Sequence, residues 1–123
     1  MKNNIDINYV KSELVKIQRY FLEQKFKKVI EKTKKLIKKD PNQVPFYNFI
    51  GLAYRQLGQN LNAENTFKKG LEIFPNNISI ICNLGALYRL MAKFTEAEYY
   101  LNRGLELKKD DFNILCNYGN LKR

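Results

Sequence analysis

Tyr47-Asn48-Phe49-Ile50-Gly51-Leu52-Ala53-Tyr54 is followed, 34 residues on, by Ile81-Cys82-Asn83-Leu84-Gly85-Ala86-Leu87-Tyr88. Both stretches place an aromatic or aliphatic residue first, an aliphatic fourth, Gly fifth and Tyr eighth. The same 34-residue step links Tyr20 to Tyr54, Gly85 to Gly119 and Pro41 to Pro75. It also carries Ala63 and Phe67 onto Ala97 and Leu101. A fixed period of this length marks a repeat architecture, in which each unit buries its apolar face against the next.

The local pattern makes each unit helical. Ile81, Leu84, Tyr88 and Met91 recur at helical spacing. Phe26, Val29, Ile30, Thr33, Leu36 and Ile37 share one face of the segment 26–37. Gly51 and Gly85 lie inside such segments, where Gly costs roughly 1 kcal/mol relative to Ala. Their presence predicts a close approach by another helix, with Ala63 and Ala97 as the small residues opposite. Gly58-Gln59-Asn60 breaks a helix pair. Asp40-Pro41-Asn42 and Phe74-Pro75-Asn76 end helices, because Pro disfavours helical geometry in the residue before it. Thr95 and Glu98 have the spacing of a capping box. The predicted helices are about 8–23, 26–39, 44–58, 60–73, 78–91, 94–107 and 112–122, an all-α chain of seven helices.

These motifs resemble the tetratricopeptide repeat, whose 34-residue helix–turn–helix unit carries W-x-x-L-G-x-x-Y, then A-x-x-x-F, then P. On that resemblance the chain is a single domain, 1–123. Its units are a degenerate one at about 10–43, full units at 44–77 and 78–111, and a partial unit at 112–123. The Trp position holds Glu13, Tyr47, Ile81 and Leu115. Lys109 stands where the second full unit would have Pro, and Ile17 replaces Gly in the first. The implied architecture is a right-handed superhelical stack of antiparallel helix pairs, an α-solenoid. Phe112, Ile114, Leu115, Tyr118 and Leu121 are apolar for a terminal cap. The expectation is a longer array; the competing expectation is self-association through this half-repeat.

Composition narrows the function. The 123 residues include no His, no Trp and only two Ser, Ser12 and Ser79. The lack of His removes His-based acid–base chemistry, Ser–His and Cys–His nucleophile pairs, and most zinc sites. No catalytic residue, cofactor or metal site is expected, and Cys82 and Cys116 are expected to remain thiols. No apolar run approaches the ~18 residues of a membrane span, and the N-terminus lacks a signal-peptide core. A cytoplasmic location is the expectation.

The resemblance places the first helix of each pair along a concave groove. On these helices, steps of 3, 4 and 3 residues keep Pro45, Asn48, Leu52 and Arg55 on one side. Ser79, Cys82, Ala86 and Arg89 follow, then Asn113, Cys116, Asn120 and Arg123. Arg55 and Arg89 form one ladder with Arg123, and Asn83 and Asn117 form another. Asn48, Arg55, Asn83, Arg89, Asn117 and Asn120 are the candidate peptide-binding residues. Amides can bond an extended backbone, and Arg can pair with acidic groups. The chaperone-tail clamp known in the family needs a Lys/Asn/Asn/Lys/Arg set. Its positions here hold Leu14, Gln18, Phe49, Ser79 and Asn83, or, one repeat later, Asn48, Leu52, Asn83, Asn113 and Asn117. A chaperone C-terminal carboxylate is therefore not the expected ligand.

The expected function is non-catalytic binding of a protein or peptide, with an acidic segment as the favoured chemistry. A second reading is an N-terminal accessory segment of a larger bacterial enzyme, such as a sulfotransferase or glycosyltransferase, which similar arrays precede. A third draws on charge. The net charge is +10, and residues 1–41 hold twelve basic and five acidic groups. Lys25, Lys28, Lys32, Lys35 and Lys39 form a stripe that could meet an anionic surface or nucleic acid. The stripe has no interleaved aromatic platform and no Arg to read bases, so nucleic acid is not the favoured partner.

Overall fold

A computed structural model describes residues 6–109. Six α-helices and no strand occur among them: α1 Ile7–Leu22, α2 Phe26–Lys39, α3 Val44–Gln56, α4 Asn60–Ile73, α5 Ile78–Leu90 and α6 Phe94–Leu107. The ranges of α2, α4 and α6 coincide with those read from periodicity, and the others differ by one or two residues. The expected helix at 112–122 lies outside the described residues, together with Asn117, Asn120, Cys116 and Gly119. The chain divides into two compact units, Met1–Ala63 and Glu64–Arg123, with the division inside α4.

In the first unit, α2 packs on α1 and α3, and α1 also meets α3. Val10, Ile17, Val29, Ile30, Leu36, Phe46, Ile50 and Ala53 form its core. The apolar face read on 26–37 is the buried one: Val29, Ile30, Thr33 and Leu36 are inside, and Phe26 and Ile37 pack against them. Two slots of the degenerate unit are filled by polar residues. Thr33 occupies the register of Phe67 and Leu101, fully buried, and its hydroxyl has no partner among the described residues. Glu13 occupies the Trp register and is only 5% exposed.

In the second unit α5 packs on α6. Phe67, Ile80, Ile81, Leu84, Leu87, Ala97 and Leu101 are buried there. Gly85 is the close approach that its mid-helix position implied. A Cβ on it would lie 2.9 Å from Cγ and Cδ2 of Leu101 and 3.6 Å from the Ala97 carbonyl oxygen.

Each helix pair turns in the same way. Gln24 (φ 62°), Gly58 (φ 75°) and Ala92 (φ 60°) are left-handed and 34 residues apart. After each, an N–H returns to a tyrosine carbonyl: Lys25 to Tyr20 at 2.8 Å, Gln59 to Tyr54 at 2.9 Å and Lys93 to Tyr88 at 2.8 Å. This is a Schellman closure, which satisfies carbonyls left open at a helix end. Of these three turns, only the one at Gly58 is legible in the sequence. A side chain in this conformation costs about 1–2 kcal/mol, and Gly avoids it. Ala92→Gly is therefore expected to raise stability by about 1 kcal/mol and the melting midpoint by roughly 3–6 °C. An unchanged or lower midpoint in thermal unfolding would contradict this account of the turn.

The start of α6 corrects one expectation. Lys93, not Thr95, is the N-cap residue, and no side chain caps this terminus. Thr95 already lies within the helix, so Thr95 and Glu98 do not make a capping box. The side-chain cap occurs instead at α5, where the Asn77 amide oxygen accepts from the Ile80 N–H at 3.0 Å. Asn has the short acceptor that such a position favours.

Candidate functional site

Of the candidate groove residues, Asn48 and Arg55 fall on α3 of the first unit and Asn83 and Arg89 on α5 of the second, whereas Asn117 and Asn120 lie outside the described residues. On α3 of the first unit, Pro45, Asn48, Leu52 and Arg55 are all half-buried. On α5 of the second, Cys82, Asn83 and Ala86 are half-buried, whereas Ser79 and Arg89 are exposed. Asn48 and Asn83 are both engaged within the fold. Arg55 and Arg89 each lie in the last turn of their helix, where a cation complements the partial negative charge of the open carbonyls. Their own carbonyls accept from Gly58 and Ala92, both at 3.0 Å, so the same cap geometry fixes both arginines. Neither guanidinium joins an ion pair among the described residues.

In α1 the matching position is Phe21, whose ring meets Phe26 edge-on at 5.1 Å and Phe49 at 6.1 Å. An apolar contact there replaces the arginine.

The lysine stripe is tied closely to α1. Lys32 Nζ lies 2.7 Å from Glu13 Oε1, and Lys16 Nζ lies 3.2 Å from Glu13 Oε2. The hydrogen bond from Lys32 holds the Glu13 carboxyl below its ordinary range, against the opposing effect of burial. The same bond raises the Lys32 ammonium. Lys25 pairs with Glu23 at 3.1 Å. Lys28 lies 5.7 Å from the Tyr20 ring centroid, and Lys39 lies 5.9 Å from that of Tyr9. Lys28, Lys32 and Lys35 share a cavity of about 300 Å³ with Tyr20 and Glu31.

Two tyrosine networks escaped the sequence reading. Tyr47, in the Trp register, donates its hydroxyl to the Pro41 carbonyl at 2.7 Å, and burial pushes its ionisation up. Tyr88 donates to Glu64 Oε2 at 2.5 Å, and Lys68 Nζ lies 3.1 Å from the same oxygen. Burial first, and the Glu64 bond second, push the Tyr88 phenol up to about 12. The Tyr88 bond in turn lowers the Glu64 carboxyl. The repeat had shown Tyr88 as a recurring residue; its polar partner requires side-chain positions.

No group of three His, Cys, Asp or Glu gathers to hold a metal among the described residues. Cys82 is half-buried on α5. No described helix is long and apolar enough to cross a membrane.

Comparison with known proteins agrees with this geometry. No curated protein matches the chain. The first tetratricopeptide domain of human RPAP3 has a TM-score of 0.80 at 21% identity, covering 87% of this chain and 84% of that one. The first such domain of Spaghetti (RPAP3), bound to the HSP90 peptide SRMEEVD, scores 0.81 at 20% identity, covering 96% and 94%. The second domain of human RPAP3, in complex with the HSP70 peptide SGPTIEEVD, scores 0.79 at 18% identity, covering 91% and 93%. At these identities the likeness is one of fold. A family model described as tetratricopeptide repeat matches residues 44–110, more than half of the chain. With the 34-residue period and the recurring turn, that match assigns the chain to the tetratricopeptide repeat family.

Proposed function

We propose that the chain is a non-catalytic docking scaffold for an acidic or phosphorylated peptide segment. Asn48, Arg55, Asn83, Arg89, Asn117 and Asn120 would line its groove. The observation that carries this reading is the pair of arginines. Arg55 and Arg89 occupy equivalent last turns and have no ion-pair partner among the described residues. A guanidinium fork can take a carboxylate or a phosphate through two parallel hydrogen bonds. In the arrangement expected of the family these helices would line a trough, and a preformed trough would limit the ordering cost of binding. Structural neighbours bound to the acidic peptides SRMEEVD and SGPTIEEVD support the ligand class. The clamp positions of this chain differ, so an internal acidic segment suits it better than a chaperone C-terminus.

An array of acidic and phosphorylated peptides, probed with wild type and with Arg55→Ala/Arg89→Ala, tests the reading. Loss of two charge-assisted contacts should weaken the bound peptides by about tenfold or more. The variant should melt close to wild type, because neither guanidinium joins an ion pair among the described residues. Equal signals from the two proteins across the array would overturn the groove.

A further inference from the structure

Hairpins α1/α2 and α5/α6 carry matching registers two 34-residue steps apart. Tyr20 corresponds to Tyr88, Lys32 to Tyr100 and Lys35 to Arg103. In the second unit this face is occupied. Tyr88 stacks on Tyr100 at 5.6 Å, and its hydroxyl is bonded to the Glu64 carboxylate of α4. Arg103 donates to the Pro75 carbonyl, which follows α4. Within that unit, the register receives one carboxylate and one backbone carbonyl.

The α1/α2 face is built differently and is not filled by any described residue. Lys32 has no ring to stack as Tyr100 does, and its ammonium turns to Glu13. Between Tyr20 and the α2 face of Lys28, Glu31, Lys32 and Lys35 lies a shallow cavity of about 300 Å³, open to solvent. The Tyr20 hydroxyl makes no hydrogen bond among the described residues. Lys28 and Lys35 join no ion pair there. Glu31 is the one acidic group on the wall. Glu13 compensates Lys32, so two ammonium groups without an ion pair, that of Lys28 lying over the Tyr20 ring, and a hydroxyl remain for a ligand.

We propose that this cavity is a second docking site, which takes the carboxylate of an acidic segment of a partner protein. The carboxylate would accept from Tyr20, as Glu64 accepts from Tyr88, with Lys28 as its counter-ion. Lys35 would bond a following backbone carbonyl, as Arg103 bonds that of Pro75. Charge complementarity selects the partner: twelve basic groups against five acidic in residues 1–41 repel a basic segment and attract an acidic one. The site lies wholly within the first unit and does not use Arg55 or Arg89.

The test uses the full chain and a short alanine-based helical peptide with glutamate at every fourth position. Its glutamine counterpart is the control. Amide shifts are followed by NMR and affinity by calorimetry. Shifts should centre on Tyr20, Lys28 and Lys35, and the glutamine peptide should bind about tenfold more weakly. Lys28→Gln/Lys35→Gln should also lose about tenfold, and Tyr20→Phe about threefold. All three lysine and tyrosine changes spare the Glu13–Lys32 pair, so the melting midpoints should stay near wild type. Arg55→Ala/Arg89→Ala should leave this affinity within about twofold, which separates the site from the groove. Shifts elsewhere, or equal binding of both peptides, would overturn the proposal. So would displacement of the glutamate peptide by inorganic phosphate at equal concentration. Binding to phosphatidylserine vesicles without peptide binding would do the same.

Discussion

Lys32→Met is expected to destabilise the chain by about 2 kcal/mol, a fall of roughly 6–12 °C in melting midpoint. Glu13 is 5% exposed and takes its shortest ion pair, 2.7 Å, from Lys32. Removing one partner of a fully buried pair costs about 3–5 kcal/mol. The figure here is smaller because the Lys32 side chain is 31% exposed and Lys16 still reaches the carboxylate. Replacing both charges, Glu13→Met with Lys32→Met, should restore or exceed wild-type stability, because the site belongs to an otherwise apolar register. A double variant less stable than Lys32→Met alone would refute this account.

The pH dependence follows from the directions of the shifts. The Glu13 carboxyl is lowered in the folded chain. Its contribution is therefore present above the unfolded value of 4.5 and is lost as pH falls through the folded value. The Lys32 ammonium is raised, so its contribution holds below the unfolded 10.5 and is lost at higher pH. In Lys32→Met, burial opposes Lys16 alone, so the loss of stability on acidification should be shallower than in wild type. Melting midpoints across the acid range measure this directly.

Leu101→Ala should cost about 3 kcal/mol, since Leu101 is 1% exposed between α5 and α6. Gly85→Ala should cost about 1–2 kcal/mol despite the better helix propensity of Ala. Its methyl would meet Leu101 at 2.9 Å, and a buried side chain has little room to yield. In the double variant the new methyl enters the space that Leu101 vacates. The combined loss should fall short of the sum of the single losses by about 1–2 kcal/mol. Additive losses in chemical denaturation would mean that the two residues do not share this contact.

Glu13 illustrates the limit of reading a sequence by its period. The repeat identifies its register as the Trp position, yet a carboxylate in that position reads as a defect. The structure shows a satisfied group, because α2 brings Lys32 across to it. Of the lysine stripe, Lys25, Lys28, Lys35 and Lys39 are exposed, and Lys32, Lys28 and Lys39 also reach α1 through Glu13, Tyr20 and Tyr9. The left-handed residues Gln24 and Ala92 were accessible in principle, since they lie 34 residues on either side of Gly58. The buried Gly70 and Gly104 share that spacing. Neither pair attracts notice without knowing that its register demands a special conformation or close packing.

The order of amino acids determined the helices, their length, their repeat and the close contact at Gly85, because these depend on periodicities summed along the chain. The register of Arg55 and Arg89 was fixed in the same way. Which charges are consumed within the molecule and which stay available was decided by tertiary packing. Ion pairs and hydrogen bonds fall off over a few ångströms, and only the folded chain sets those distances. Lys32 is thus committed to Glu13, whereas Lys28, Lys35, Arg55 and Arg89 join no ion pair among the described residues.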